Sequence, residues 1–175
     1  RYRKKIKFIK FQGDLTKKKQ IKKWFDENDF NIIIHFAALV PTNLVEKNYK
    51  RAIKVNVGGT KDLVNFAAKK QNIKWFFYSS TSHVYKSTKT KIKLKEKNKL
   101  FPFTKYGKTK LQAERYISKK LKRTNIKLCI GRIFSFTSYK QKKSFFIPGV
   151  FNKIIKQKNL SFYNLNHYRD FVYVN

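Results

Sequence analysis

Two stretches of this chain hold residues that could move a proton. Tyr106-Gly107-Lys108-Thr109-Lys110 places a phenol and an ammonium four residues apart, and on a helix side chains at that spacing share one face. A free tyrosine titrates near pH ~10, and a cation within ~4–6 Å favours the phenolate, bringing it toward the range useful in proton transfer. Tyr106 is therefore a candidate general acid/base, with Lys110 as its electrostatic partner. Upstream, Ser79-Ser80-Thr81-Ser82 follows directly on the aromatic run Trp75-Phe76-Phe77-Tyr78. Neither pattern is decisive alone: a core tyrosine beside a snorkelling lysine has the same spacing, and hydroxyl clusters are common in turns.

The elements that would position these groups alternate in kind. Ile6–Phe11 reads as a partly alternating strand ended by Gln12-Gly13-Asp14, and Ile21, Trp24 and Phe25 then form one apolar stripe of a short helix. The continuous run Ile32–Ala38 fits a strand covered on both faces by helices. A helical pattern runs from Leu44 to Gln71, with Gly58-Gly59 inside it and, on its apolar face, the amide of Asn56, either a satisfied structural contact or a site residue. Trp75–Tyr78 is the next strand, and Lys86–Lys99 a lysine-rich solvated loop. After Pro102 a helix carries Tyr106, Lys110, Ala113, Ile117 and Leu121 on one stripe. Leu128–Ile133 is a further strand, and a helix at Val150–Gln157 and a strand at Arg169–Val174 close the chain. This succession predicts an α/β fold: a doubly wound, Rossmann-like parallel sheet whose ligands bind beyond the carboxyl ends of the strands. Asp14, Ala37-Ala38 and the hydroxyl cluster all fall just past such ends.

Composition narrows the class. At 175 residues with 41% hydrophobic and 17% aromatic content, the chain can bury a core and is not disordered. The single Cys129 excludes an internal disulfide and fits a reducing, cytoplasmic compartment. No apolar run reaches the ~18–20 residues of a membrane span. The net charge of +34 suits a polyanion, so a non-catalytic Rossmann-like module binding RNA or another polyanion is the alternative function. The lysines are nevertheless spread over nearly every segment, together with Asn, Ile, Phe and Tyr, as compositional drift would leave them. His35, His83 and His167 read as core histidines, with no cysteine or acid at metal-ligand spacing.

Taken in order, the blocks resemble the extended short-chain dehydrogenase/reductases, the NAD-dependent epimerase/dehydratase family acting on nucleotide-sugars. They are Gly13-Asp14-Leu15-Thr16, His35-Phe36-Ala37-Ala38, Asn56-Val57-Gly58-Gly59-Thr60, Ser79–Tyr85, Tyr106 with Lys110, and Arg169–Val174. The resemblance implies NAD or NADP as cofactor and a nucleotide-sugar as substrate, and it admits a homodimer. It implies Asp14 at the adenine amino group, Leu15 against that ring, and Phe36, Ala37 and Ala38 lining the cofactor channel, with Asn56 and Ser79 also on the cofactor. Thr81 would hydrogen-bond the reacting substrate oxygen, Tyr106 would exchange its proton, and Lys110 would hold the ribose hydroxyls and lower the tyrosine pKa. Ser82, Ser135 and Arg169 would meet the substrate, Arg169 at its diphosphate.

Departures from the family's pattern are as informative. The six glycines form no phosphate-binding fingerprint, so residues 1–134 read as the cofactor domain without its first strand and glycine-rich loop. Residues 135–175 read as the start of the substrate-binding region. Ser82-His83 stands where the family's dehydratases carry an Asp-Glu pair, which favours an epimerase or reductase interconverting alcohol and ketone. Ser135 replaces a frequent Asn, and Lys86 a usual Gly. Without the glycine-rich loop the chain alone is expected to be inactive.

Overall fold

The computed structural model describes residues 6–40, 42–87, 92–156, 160–162 and 169–174. The chain divides into two compact units, Arg1–Thr88 with Leu94–Arg132, and Lys89–Lys93 with Ile133–Asn175.

The first unit is built on a three-stranded sheet in the order β1-β2-β3, with β1 at Ile32–His35, β2 at Trp75–Thr81 and β3 at Lys127–Ile133. Strands β1 and β2 run parallel, Ile32 beside Trp75 through His35 beside Tyr78, so both carboxyl ends reach the same edge. Helices α1 (Lys18–Glu27), α2 (Thr42–Lys47), α3 (Tyr49–Ala52), α4 (Thr60–Ala67) and α5 (Lys105–Leu121) accompany the sheet. One core cluster joins Ile21 and Phe25 of α1, Ile33 of β1, Leu63, Val64 and Ala67 of α4, Phe76 and Tyr78 of β2, and Ala113, Ile117 and Leu121 of α5. The helical stripes read from sequence are thus the surfaces that pack on the sheet, and removing such apolar area from water is the main driving force for the fold.

Three expectations are corrected. Residues 6–11 form no strand: Phe8 is 81% exposed and Phe11 packs its ring edge-on to Trp24. Alternation signals an amphipathic extended segment, but a strand also needs a ladder partner, which this one lacks among the described residues. Among the described residues β1 is covered on one face only, since Ile33 and His35 are buried while Ile32 and Ile34, the latter 52% exposed, face outward with Phe36. A continuous apolar run records that both faces tolerate burial and cannot tell which is covered. The single long helix of residues 44–71 is instead three α-helical pieces with a π-helical segment, Ile53–Gly59, between α3 and α4. The wider π turn coincides with Gly58-Gly59. A Cβ on Gly59 would lie 2.7 Å from the Leu15 carbonyl oxygen, so only glycine lets this turn meet the loop after Asp14.

The second unit holds β4 (Ser135–Thr137) paired in parallel with β5 (Phe171–Tyr173), and α6 (Phe146–Lys156). The rings of Phe146 and Phe171 stack, with centroids 6.1 Å apart. Helix α6 starts earlier than the sequence pattern indicated, and Gln157 and His167 lie outside the described residues. No helix among the described residues is long and apolar enough to cross a membrane.

Candidate functional site

Strand β2 delivers its hydroxyls by alternation. Tyr78 and Ser80 point to the buried face and Ser79 to the opposite one, while Thr81 is buried at the strand's last position. Thr81 then caps a single 3-10 turn, Ser82–Val84, its Oγ1 accepting from the His83 amide at 3.3 Å. That leaves the threonine's own O–H to donate elsewhere. Ser82, half-buried, begins the turn, and its carbonyl accepts from the Tyr85 amide at 3.1 Å.

Helix α5 begins beside this turn for local reasons. Thr104 is its N-cap, its Oγ1 accepting from the Gly107 amide at 3.0 Å. From α2, the Glu46 carboxylate accepts from the Lys105 amide at 2.7 Å, placing negative charge at the helix N-terminus. Gly107 is required by close approach, because a Cβ there would sit 2.3 Å from the carbonyl oxygen of His83. The turn after Thr81 therefore presses on α5 one residue past Tyr106. The His83 ring completes the junction, standing edge-on to Tyr106 with centroids 5.9 Å apart and stacking on Phe103. The structure thus joins Thr81 and Tyr106 through His83, which is a half-buried part of the site and not the core histidine expected from sequence.

Lys110 lies one turn beyond Tyr106 and is 2% exposed. Its ammonium does not turn to Tyr106. It rests over the ring of Tyr78, 4.7 Å from the centroid, a favourable cation–π placement. The expected lowering of the Tyr106 pKa is correspondingly absent: burial holds that phenol above its ordinary value. The four-residue spacing aligns the two Cβ atoms, but the long lysine stem reaches past the helix to β2. Burial also lowers Lys110 to about 8, with Glu114 opposing the shift. His35 behaves as a core histidine, its Nε2 2.8 Å from the Thr60 hydroxyl and its pKa lowered by burial, then by Lys110, to about 3. The Tyr78 hydroxyl is buried and has no hydrogen-bond partner among the described residues.

Of the expected cofactor residues, Asp14 is exposed just before the loop to α1, its Oδ1 accepting from the Thr16 amide at 2.8 Å. That bond holds its carboxyl below the usual range, so it stands as an ionised acceptor. Ala37 and Ala38 follow β1 at the carboxyl edge with side chains too small to fill it, while Phe36 leans on Phe77, centroids 5.6 Å apart. Small side chains at a strand edge, an exposed acceptor and a lysine ammonium suit an adenine dinucleotide. Two placements bear on what the resemblance implies. Leu15 is buried in the core cluster against Gly59, leaving little of its side chain for an adenine ring. Asn56 has its amide occupied: Oδ1 accepts from Leu39 N at 2.6 Å, and Nδ2 donates to Leu39 O at 3.3 Å and Thr109 Oγ1 at 3.1 Å. It reaches the site through the loop after β1 and through α5, and it is 1% exposed. Ser135 and Arg169 belong to the second unit, half-buried in β4 and exposed before β5.

Sequence reasoning missed Glu114, which is 3% exposed on the same face of α5 as Tyr106 and Lys110. Its carboxylate accepts from Ser80 Oγ and pairs with Arg132, whose terminal nitrogen is 2.9 Å away. The available signal was an acid among lysines, at the next four-residue step after Lys110.

These features can be set beside known proteins. A model of the NAD dependent epimerase/dehydratase family matches residues 2–175. The chain belongs to that family. It is similar to the bifunctional UDP-glucose 4-epimerase and UDP-xylose 4-epimerase 1 of Pisum sativum, 36% identical over 102 residues, 58% of this chain and 29% of that protein. Among solved structures it is similar to Pal from Bacillus thuringiensis, with a TM-score of 0.81 at 22% identity, covering 93% of this chain and 52% of that one. It also resembles UDP-glucuronic acid 4-epimerase from Bacillus cereus, solved with UDP-glucuronic acid and NAD, with a TM-score of 0.74 at 22% identity. That match covers 87% of this chain and 48% of the epimerase. These likenesses establish the Rossmann-like fold. The chain spans about half the length of those two solved structures, and less of the curated plant relative.

Proposed function

We propose that the whole protein interconverts an alcohol and a ketone on a nucleotide-linked sugar with NAD or NADP, as an epimerase or reductase. Tyr106, Lys110 and Thr81 are the catalytic groups in this reading. The observation that carries it is the junction of α5 with the carboxyl end of β2, where Thr81, His83 and Tyr106 meet one helical turn from the buried Lys110. When bound, the dinucleotide supplies a hydride acceptor and donor. Thr81 donates a hydrogen bond to the reacting oxygen, and Tyr106 takes or returns its proton. Lys110 would contribute positive charge to the site and would hold the ribose hydroxyls. Asp14, Phe36, Ala37, Ala38 and Ser79 line the cofactor, while Ser82, Ser135 and Arg169 serve the sugar nucleotide. In this assignment residues 1–134 form the cofactor domain and 135–175 begin the substrate region.

The matched epimerases act on UDP-sugars and one was solved with NAD, which favours a UDP-sugar and NAD here. Ser82-His83 offers no carboxylate pair for eliminating water, which favours epimerisation or reduction over dehydration. The test is Tyr106→Phe in the whole protein with NAD and UDP-glucose. Loss of turnover by ~100-fold or more with NAD binding retained is expected, since a positioned acid/base contributes at least that much. Full activity in this variant would refute the assignment.

A further inference from the structure

The acid that the catalytic assignment leaves over, Glu114, is buried at the centre of a polar network that runs outward through Arg132. From α5 its carboxylate accepts from Ser80 Oγ on β2, and Ser80 directly precedes Thr81. It also accepts from Arg132 of β3, at 3.2 and 3.3 Å from Nε and 2.9 Å from the terminal nitrogen. The second terminal nitrogen of Arg132 continues outward to the Tyr85 hydroxyl at 3.2 Å and the Glu96 carbonyl at 2.9 Å. The guanidinium carbon also lies 5.2 Å from the Tyr85 ring centroid. One carboxylate and one guanidinium thus join the catalytic helix, both ends of the Thr81 turn, and the loop that follows it.

Resting on the reading of Tyr106, Lys110 and Thr81 above, we propose that Glu114 is a positioning residue for the reaction. Through Ser80 it fixes the strand end that presents Thr81 to Tyr106, and Arg132 extends this hold to Tyr85 and the following loop. The arrangement suits positioning because each partner is held from a different element. Replacing a buried ion pair by apolar groups of similar volume is often neutral or stabilising, so stability alone does not call for these charges. Glu114 also acts on Lys110, whose other charged or titratable neighbours are Tyr78 of β2, His35 of β1 and Tyr106 of α5. Removing the carboxylate's charge lets the ammonium lose its proton at lower pH.

The test compares Ser80→Ala, Glu114→Gln and the charge-free pair Glu114→Leu/Arg132→Met in the whole protein with NAD and UDP-glucose. Ser80→Ala and Glu114→Gln are expected to lower kcat at least tenfold, with KM changed less than threefold and the fold retained in urea titration. The alkaline limb of the pH–rate profile moves to lower pH in Glu114→Gln and the double variant, but not in Ser80→Ala. Amide exchange at His83 and Tyr85 rises at least tenfold in all three, with exchange at Phe76 unchanged. That readout needs no turnover, so it survives a failure of the proposed function and separates the two ideas. A folded Ser80→Ala or double variant with unchanged kcat and unchanged exchange at His83 would overturn the proposal.

Discussion

The ammonium of Lys110 lies over the ring of Tyr78, 4.7 Å from its centroid, with the lysine 2% exposed. A buried charge so placed makes stability depend on pH. Burial lowers Lys110 from 10.5 to about 8, so between those values the unfolded chain binds more protons than the folded one, and stability rises with pH. Below about pH 8 both states carry the proton and the full cost of burying the charge remains. Lys110→Met should therefore be more stable than wild type at pH 7, by on the order of 2–3 kcal/mol, and this advantage should shrink as pH rises toward 9.5. Above pH ~10 the phenols of Tyr78 and Tyr106, held protonated by burial, act in the opposite sense. Urea unfolding of both proteins across this range gives the answer, and a constant difference would exclude the buried ammonium as its source.

The Tyr78 hydroxyl offers a second check. It is buried without a partner among the described residues, and an unpaired buried hydroxyl costs roughly 1–3 kcal/mol in lost hydration. Tyr78→Phe keeps the ring under Lys110 and removes only that oxygen. The variant should match or exceed wild-type stability by up to about 1 kcal/mol in urea midpoint. A loss of stability would mean that the hydroxyl has a partner.

Two glycines should respond oppositely to alanine. At Gly107 the added Cβ would meet the His83 carbonyl oxygen at 2.3 Å, a backbone atom that cannot swing aside. At Gly58 the nearest atom is the Ile53 carbonyl oxygen at 3.8 Å, an ordinary contact. Gly107→Ala should lose roughly 2 kcal/mol or more, as overpacking does, whereas Gly58→Ala should gain up to about 1 kcal/mol from restricting the unfolded chain. Thermal denaturation of the two variants side by side tests the junction that brings Thr81 to Tyr106.

Much of this was legible in the sequence because it is local. The stripe Tyr106, Lys110, Ala113, Ile117 and Leu121 and the passage from Trp75–Tyr78 into hydroxyls depend on periods of 3.6 and 2, and both elements form where expected. The family blocks were legible for the same reason, being short and ordered. What escaped depends on contacts distant in sequence. Nothing near Glu114 announces Ser80 or Arg132, and nothing near Asn56 announces Leu39 or Thr109. The Lys110 ammonium rests over Tyr78 of β2, thirty-two residues back in the chain, which the spacing within α5 does not encode.

Asn56 supplies the last prediction. Its amide bonds to both backbone groups of Leu39 in the loop after β1 and to the Thr109 hydroxyl, whose own proton goes to the Tyr106 carbonyl at 2.8 Å. Asn56→Ala leaves the N–H and C=O of Leu39 without these partners and opens a void beneath α5, so it should cost about 2–4 kcal/mol. Asn56→Asp keeps the acceptor for Leu39 N but sets a carboxylate oxygen against Leu39 O and forces the Thr109 hydroxyl to turn from Tyr106 O. Because like poles then face each other in a buried site, the aspartate should be less stable than wild type at pH 7 and should recover part of the loss below pH ~4, where the carboxyl protonates and donates again. Urea midpoints at the two pH values distinguish this from a volume effect, which pH would not reverse.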